Sequence, residues 1–111
     1  SQRVQGKSLV PILNGSAPAD TFRPFVRSEY HDALDRPHAS HANMIYDGRY
    51  KLVLYHGQKR GELYDLKEDP NEYINLWDHA QARPLRCALT ERLFDAVMLA
   101  TDEGQPRTGR Y

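Results

Sequence analysis

The residues best suited to chemistry crowd into one short stretch. His31, His38 and His41, with Asp32 and Asp35 among them, bring imidazoles and carboxylates close together in sequence. Such groups hold divalent metals, move protons or bind anionic ligands. Their spacing fits no compact zinc pattern, and the segment reads as loop. Three readings stay open for it: a solvated loop, a surface that touches a ligand held mostly by another domain, and a metal site. The other reactive types are weaker. Cys87 is the only cysteine. It sits in Leu-Arg-Cys-Ala-Leu, mid-helix by pattern, where a thiol without a neighbouring base is a spectator. Gly6-Lys7-Ser8 lacks both the earlier glycine and the strand of a phosphate-binding loop. Glu29, Glu62, Asp65 and Glu72 offer no convincing acid–base pair, because Glu29 and Glu62 fall on different strands. Asp65 and Asp69 suit turn and cap duties better. Lys51, Lys59, Arg60 and Lys67 cluster around a hairpin near Tyr50 and Tyr55. A single-strand nucleic-acid platform would look like this, but a solvated sheet edge is the better reading, because the chain as a whole has no basic excess.

Those side chains need elements to position them. Residues 7–14 predict a short helical turn, with Ser8 as cap, Gly15 as stop, and Leu9, Ile12 and Leu13 on one side. Residues 14–24 are loop by composition. Phe25–His31 predicts a strand, and 32–41 a loop. Asn43–Tyr46 and Arg49–Tyr55 flank Asp47-Gly48, a two-residue hairpin signal that predicts a type I′ turn. Tyr50, Leu52 and Leu54 then face one way; Lys51, Val53 and Tyr55 face the other. After a polar connection at 56–61, Glu62–Leu66 adds a further strand. Asp69-Pro70-Asn71-Glu72 predicts a helix start, with Asn75 in the left-handed position at its end and Leu76 and Trp77 packing down. Residues 80–101 predict one long helix, with Pro84 near its first turn. Leu85, Leu89, Leu93, Ala96, Val97 and Ala100 make its apolar stripe. Arg86, Glu91, Arg92 and Asp95 make much of its solvated side.

The expected fold is α+β: a small antiparallel sheet of three to four strands with one long C-terminal helix packed on one face. The expected organisation is a linker and short helical turn over 1–24, the α+β subdomain over 25–101, and a disordered tail over 102–111. Tyr46, Val53 and Tyr55 leave the sheet's second face too apolar for water. Something outside this chain is expected to cover it, and the isolated chain is expected to self-associate.

The whole chain has 111 residues, 15 basic and 15 acidic, for a formal net charge of zero. That balance argues against nucleic acid or an anionic membrane as partner. No apolar run reaches the roughly 18 residues of a membrane span. The first residues, Ser1–Gly6, carry neither an initiator Met nor a signal-peptide core, so a fragment or processed chain is expected. One cysteine leaves the redox compartment open.

Read in order, Gly6-Lys-Ser-Leu-Val-Pro-Ile-Leu-Asn-Gly15, Phe25-Val-Arg-Ser-Glu-Tyr30, Met44-Ile-Tyr-Asp-Gly-Arg-Tyr-Lys-Leu52 and Glu62-Leu-Tyr-Asp-Leu-Lys-Glu-Asp-Pro-Asn-Glu-Tyr-Ile-Asn-Leu76 resemble the C-terminal subdomain of a sulfatase. The last run is the most specific, and the resemblance covers about residues 6–100. It implies an alkaline phosphatase-like hydrolase of sulfate esters, whose missing N-terminal catalytic α/β domain is this chain's partner. For that parent it implies a formylglycine nucleophile, made from Cys or Ser in a Cys/Ser-x-Pro/Ala-x-Arg motif, and a calcium ion. Cys87 is followed by Ala88, Leu89, Thr90 and Glu91, so it does not match that motif. The resemblance assigns no catalytic residue, metal or cofactor to this chain. It implies that the loop after the first strand approaches the substrate pocket, which makes His31, His38 and His41 the expected substrate-side residues. Phosphonate monoester hydrolases and related phosphodiesterases share the subdomain type, and a free-standing interaction module is the alternative from another class. The parent's compartment, periplasmic or secreted in many sulfatases, would be addressed upstream of Ser1.

Overall fold

A computed structural model describes residues 6–31 and 41–100. Helix α1 (Val10–Leu13) precedes four strands: β1 (Val26–His31), β2 (His41–Tyr46), β3 (Tyr50–Tyr55) and β4 (Arg60–Asp65). A 3-10 turn at Ala80–Ala82 then leads into helix α2 (Arg83–Ala100). The strands form an antiparallel meander in the order β1-β2-β3-β4. The expected α+β architecture is therefore present, with four strands.

Register decides the core. Ile45, Leu52 and Leu63 stand opposite one another across β2, β3 and β4. Strand alternation puts all three on the same face, where Leu89 and Leu93 of α2 meet them. These five are the buried apolar residues among those described. Burial of each contributes about 1.5–3 kcal/mol. Phe25, Tyr50, Leu54, Leu76, Trp77, Ala82, Leu85 and Val97 pack around them.

The other face carries Val26, Tyr30, Met44, Tyr46, Val53, Tyr55 and Tyr64 by the same alternation. None of these is buried, and Val26 is exposed. α2 packs on the opposite side of β2 and β3.

Several local expectations give way to tertiary contacts. The Asp47-Gly48 hairpin forms, but of the two only Gly48 has positive φ, at 99°. The type I′ geometry is not adopted, because the Asp47 carboxylate takes over the turn. It accepts from the Arg49 N–H at 3.0 Å and the Tyr50 N–H at 2.8 Å. No helix starts at Asp69. Glu72 sits at φ 59° and accepts from Lys51 Nζ at 2.6 and 2.7 Å. Asp69 Oδ2 instead accepts from the Ile74 N–H at 2.8 Å. A one-turn helix is a poor nucleus, so a cross-link to the sheet prevails over the capping pattern.

Asn75 is not the left-handed end of a helix. Its side chain tends the free edge of β4: Oδ1 accepts from the Leu63 N–H at 3.0 Å, and Nδ2 donates to the Gly61 carbonyl at 3.2 Å. The Leu76 N–H adds a bond to the Leu63 carbonyl at 2.8 Å. Edge groups left open would recruit another strand. In α1 the residue before the helix is Leu9, with no side-chain cap. The Ser8 hydroxyl accepts from the Val10 N–H, at 3.3 Å. Gly15, at φ 74°, follows the helix as expected. Leu9 and Leu13 are exposed rather than gathered on a buried side.

Pro84 lies in the first turn of α2, where its missing N–H costs no helical bond. Arg86 and Arg92 are staples rather than solvated surface. Arg86 Nη1 donates to the Trp77 carbonyl at 2.6 Å, and its guanidinium lies 4.6 Å from the Trp77 ring centroid. Arg92 donates to the Pro24 carbonyl at 2.9 Å and lies over Phe25.

Candidate functional site

β1 alternates Arg27, Glu29 and His31 onto the face that α2 covers only partly. Antiparallel pairing sets His31 opposite His41, Glu29 opposite Asn43 and Arg27 opposite Ile45. The His31 and His41 rings come within 4.9 Å, centroid to centroid, tilted by 41°. Two of the three candidate histidines are thus brought together. His41 opens β2 rather than closing a loop. His38, Asp32 and Asp35 lie outside the described residues.

Arg27, Glu29, His31 and Asn43 line an open cleft of about 260 Å³ together with Val97 and Ala100 of α2. Arg27 Nη1 pairs with Glu29 Oε1. Asn43 is 7% exposed. Its Nδ2 lies 2.9 Å from His56 Nε2, while its Oδ1 is buried without a hydrogen-bond partner. His56, in the β3–β4 connection, is held by its own N–H, which donates to the His41 carbonyl at 2.8 Å. Sequence reasoning overlooked Arg27, Asn43 and His56 here. The i, i+2, i+4 alternation of Arg27, Glu29 and His31 was a usable signal. Nothing local ties Asn43 to His56, thirteen residues away.

Other titratable groups serve the frame. Glu29 on β1 and Glu62 on β4 sit at opposite sheet edges, so they form no acid–base pair. Glu62 Oε1 accepts from Tyr55 Oη at 2.7 Å. That bond, aided by burial, raises the Tyr55 phenol above its ordinary value. Burial raises Tyr64, and Glu62 adds to it. Asp65 is held below the usual carboxylate range by the Arg49 fork, with bonds of 2.9 and 2.6 Å. Of the basic cluster, Lys51 pairs with Glu72 and Arg60 lies 4.9 Å from the Tyr55 ring centroid. Cys87 is exposed on α2. Among the described residues no three His, Cys, Asp or Glu side chains gather to hold a metal. No helix among them is long and apolar enough to cross a membrane.

Residues 1–98 match the family described as N-sulphoglucosamine sulphohydrolase, C-terminal. The chain is 37% identical over 71 residues to a Delta 4,5-hexuronate-2-O-sulfatase of Bacteroides thetaiotaomicron, covering 64% of this chain and 14% of that protein. Among solved structures it is similar to a protein described as a sulfatase from the same organism. That match has a TM-score of 0.78 and 29% identity, over 89% of this chain and 21% of the other. A phosphonate monoester hydrolase of Agrobacterium radiobacter aligns with a TM-score of 0.69 and 28% identity, over 88% and 21% of the two chains. The chain thus spans about a seventh to a fifth of the length of these relatives.

Proposed function

This chain belongs to the N-sulphoglucosamine sulphohydrolase C-terminal family, and from that premise we propose that it completes a sulfuric ester hydrolase whose reactive groups lie in an α/β domain upstream. Residues 25–101 form the subdomain proper, and 1–24 lead into it. The observation that carries this reading is the family match, which runs through all four strands and most of α2. The half-exposed apolar face of the sheet supports it, because a face bearing Val26, Met44, Val53 and four tyrosines needs a cover. The upstream domain supplies that cover, and the His31–His41 edge is turned toward the substrate. Phosphonate monoester hydrolysis is the second reading, favoured by the Agrobacterium neighbour.

In the parent, a formylglycine would supply the nucleophile and a calcium ion would supply charge stabilisation at the sulfuryl oxygens. The described residues do not fit either group. They gather no three metal-ligating side chains, and Cys87 lacks the Pro and Arg that must follow it. No catalytic step is therefore assigned to this chain. Its own contribution is to fix the pocket wall and exclude water there.

The test compares this chain with the full reading frame on an aryl sulfate plus calcium. The chain alone gives no turnover. The full frame gives turnover and carries, within roughly 300–400 further residues, a Cys/Ser-x-Pro/Ala-x-Arg motif. Turnover by the chain alone, or a frame with no such domain, refutes the proposal. Preference for a phosphonate ester selects the second reading.

A further inference from the structure

Strand register lines up histidines at one end of the sheet. His31 on β1 stands opposite His41 on β2. The His56 N–H, donating to the His41 carbonyl at 2.8 Å, carries the row on beyond β3. All three residues are exposed. Residues directly opposite on antiparallel strands have Cβ atoms about 4.5–5.5 Å apart, so the backbone itself holds the first two imidazoles together. Their ring centroids lie 4.9 Å apart, with the planes tilted by 41°. His56 is engaged elsewhere, its Nε2 lying 2.9 Å from Asn43 Nδ2. Among the described residues, neither His31 nor His41 commits a ring nitrogen to a hydrogen bond.

That separation suits two ligands of one metal ion. With a metal–nitrogen distance of about 2.0–2.1 Å and a ring centre about 1.1 Å beyond the nitrogen, two imidazoles bound at a near-tetrahedral angle have centroids about 5 Å apart. The neighbouring groups select the ion. Glu29, on the same face of β1 by alternation, is paired with Arg27, so no free carboxylate of β1 stands beside the rings. Imidazole favours Zn²⁺, Cu²⁺ and Ni²⁺, whereas Ca²⁺ and Mg²⁺ call for carboxylate, carbonyl and water oxygens. We propose that His31 and His41 form a two-imidazole site for a borderline transition-metal ion such as Zn²⁺, with solvent filling the remaining positions. Two protein ligands make an open, exchangeable site, in keeping with the absence of a three-ligand cluster among the described residues. The site does not depend on the hydrolase reading, and the ion it takes is not the calcium of the parent.

The experiment titrates the full 111-residue chain, free of any affinity tag, with zinc chloride and, separately, with calcium chloride, following the imidazole C–H signals by NMR. Saturable Zn²⁺ shifts at His31 and His41, with a Kd below about 1 mM, support the site. His79 is the internal reference, being exposed and without an imidazole neighbour among the described residues, and its signals stay in place. His31→Ala and His41→Ala each weaken binding by more than about tenfold, since losing an outer-shell partner alone costs about 10–100-fold. Both positions are exposed at a strand end, so the core survives, and backbone amide spectra check that it does. His56→Gln binds Zn²⁺ as the parent chain does. No saturable shift by about 1 mM Zn²⁺, an equal response to Ca²⁺, unchanged affinity in either alanine variant, or loss of binding in His56→Gln overturns the proposal. Turnover by the full reading frame decides the hydrolase reading separately, so either can fail alone.

Discussion

Gly61→Ala tests how the β4 edge is closed. Gly61 is buried under the Trp77 ring. An added Cβ would lie 2.5 Å from Trp77 Cε3, 2.6 Å from Cη2 and closer still to Cζ3. Carbon atoms rest about 3.5–4.0 Å apart, so the ring would have to retreat by about 1 Å. It is not free to do so. Arg86 lies over it and donates to the Trp77 carbonyl, and the Trp77 N–H donates to Asn75 Oδ1 at 3.0 Å. Overpacking of this kind costs about 1–3 kcal/mol. Gly61 does not use a positive φ, so alanine recovers about 0.4–1 kcal/mol by restricting the unfolded chain. The net loss is about 1–2 kcal/mol, or a fall in Tm of about 4–10 °C for a chain of this size. Thermal melts by circular dichroism measure it. Repeating the change in a Trp77→Ala background isolates the clash, and there Gly61→Ala is neutral or slightly stabilising. A Gly61→Ala chain as stable as its parent, or one equally destabilised without Trp77, refutes the reasoning.

Two further outcomes follow from the same structure. Asp65 is ionised more readily when folded than when unfolded. Its contribution is therefore fully present above the unfolded carboxylate value near 4 and is lost as pH falls through the lower folded value. Urea midpoints across that acid limb should drop less steeply in Asp65→Asn, and an unchanged slope would show that the Arg49 fork does not set it. Val53 stands at the middle of the open sheet face, opposite Met44 and Glu62. Sedimentation should find the isolated chain self-associating, and Val53→Lys should return it to monomer with a stability change under about 1 kcal/mol; a clean monomer before substitution would count against an adhesive face.

The amino-acid order alone determined the meander and its long helix. Alternation through Tyr50, Leu52 and Leu54 sorts the two faces of β3. The 3.6-residue recurrence of Leu85, Leu89 and Leu93 marks the helix side that meets them. Both periods are local, so each segment states its own conformation. The opening of β1 was legible in the same way, and with it the side to which Arg27, Glu29 and His31 belong. Tertiary structure decided what depends on segments meeting. Glu72 reads as a cap until Lys51 reaches it across the sheet, and Asn75 reads as a helix end until β4 offers it an unpaired edge. His31 and His41 become neighbours only through strand register. Asn43 loses its solvent, keeps one partner in His56 and is left with one unpaired oxygen, because three strands and a helix close around it. Hydrogen bonds and desolvation depend on which groups arrive together, and spacing along one chain does not record that.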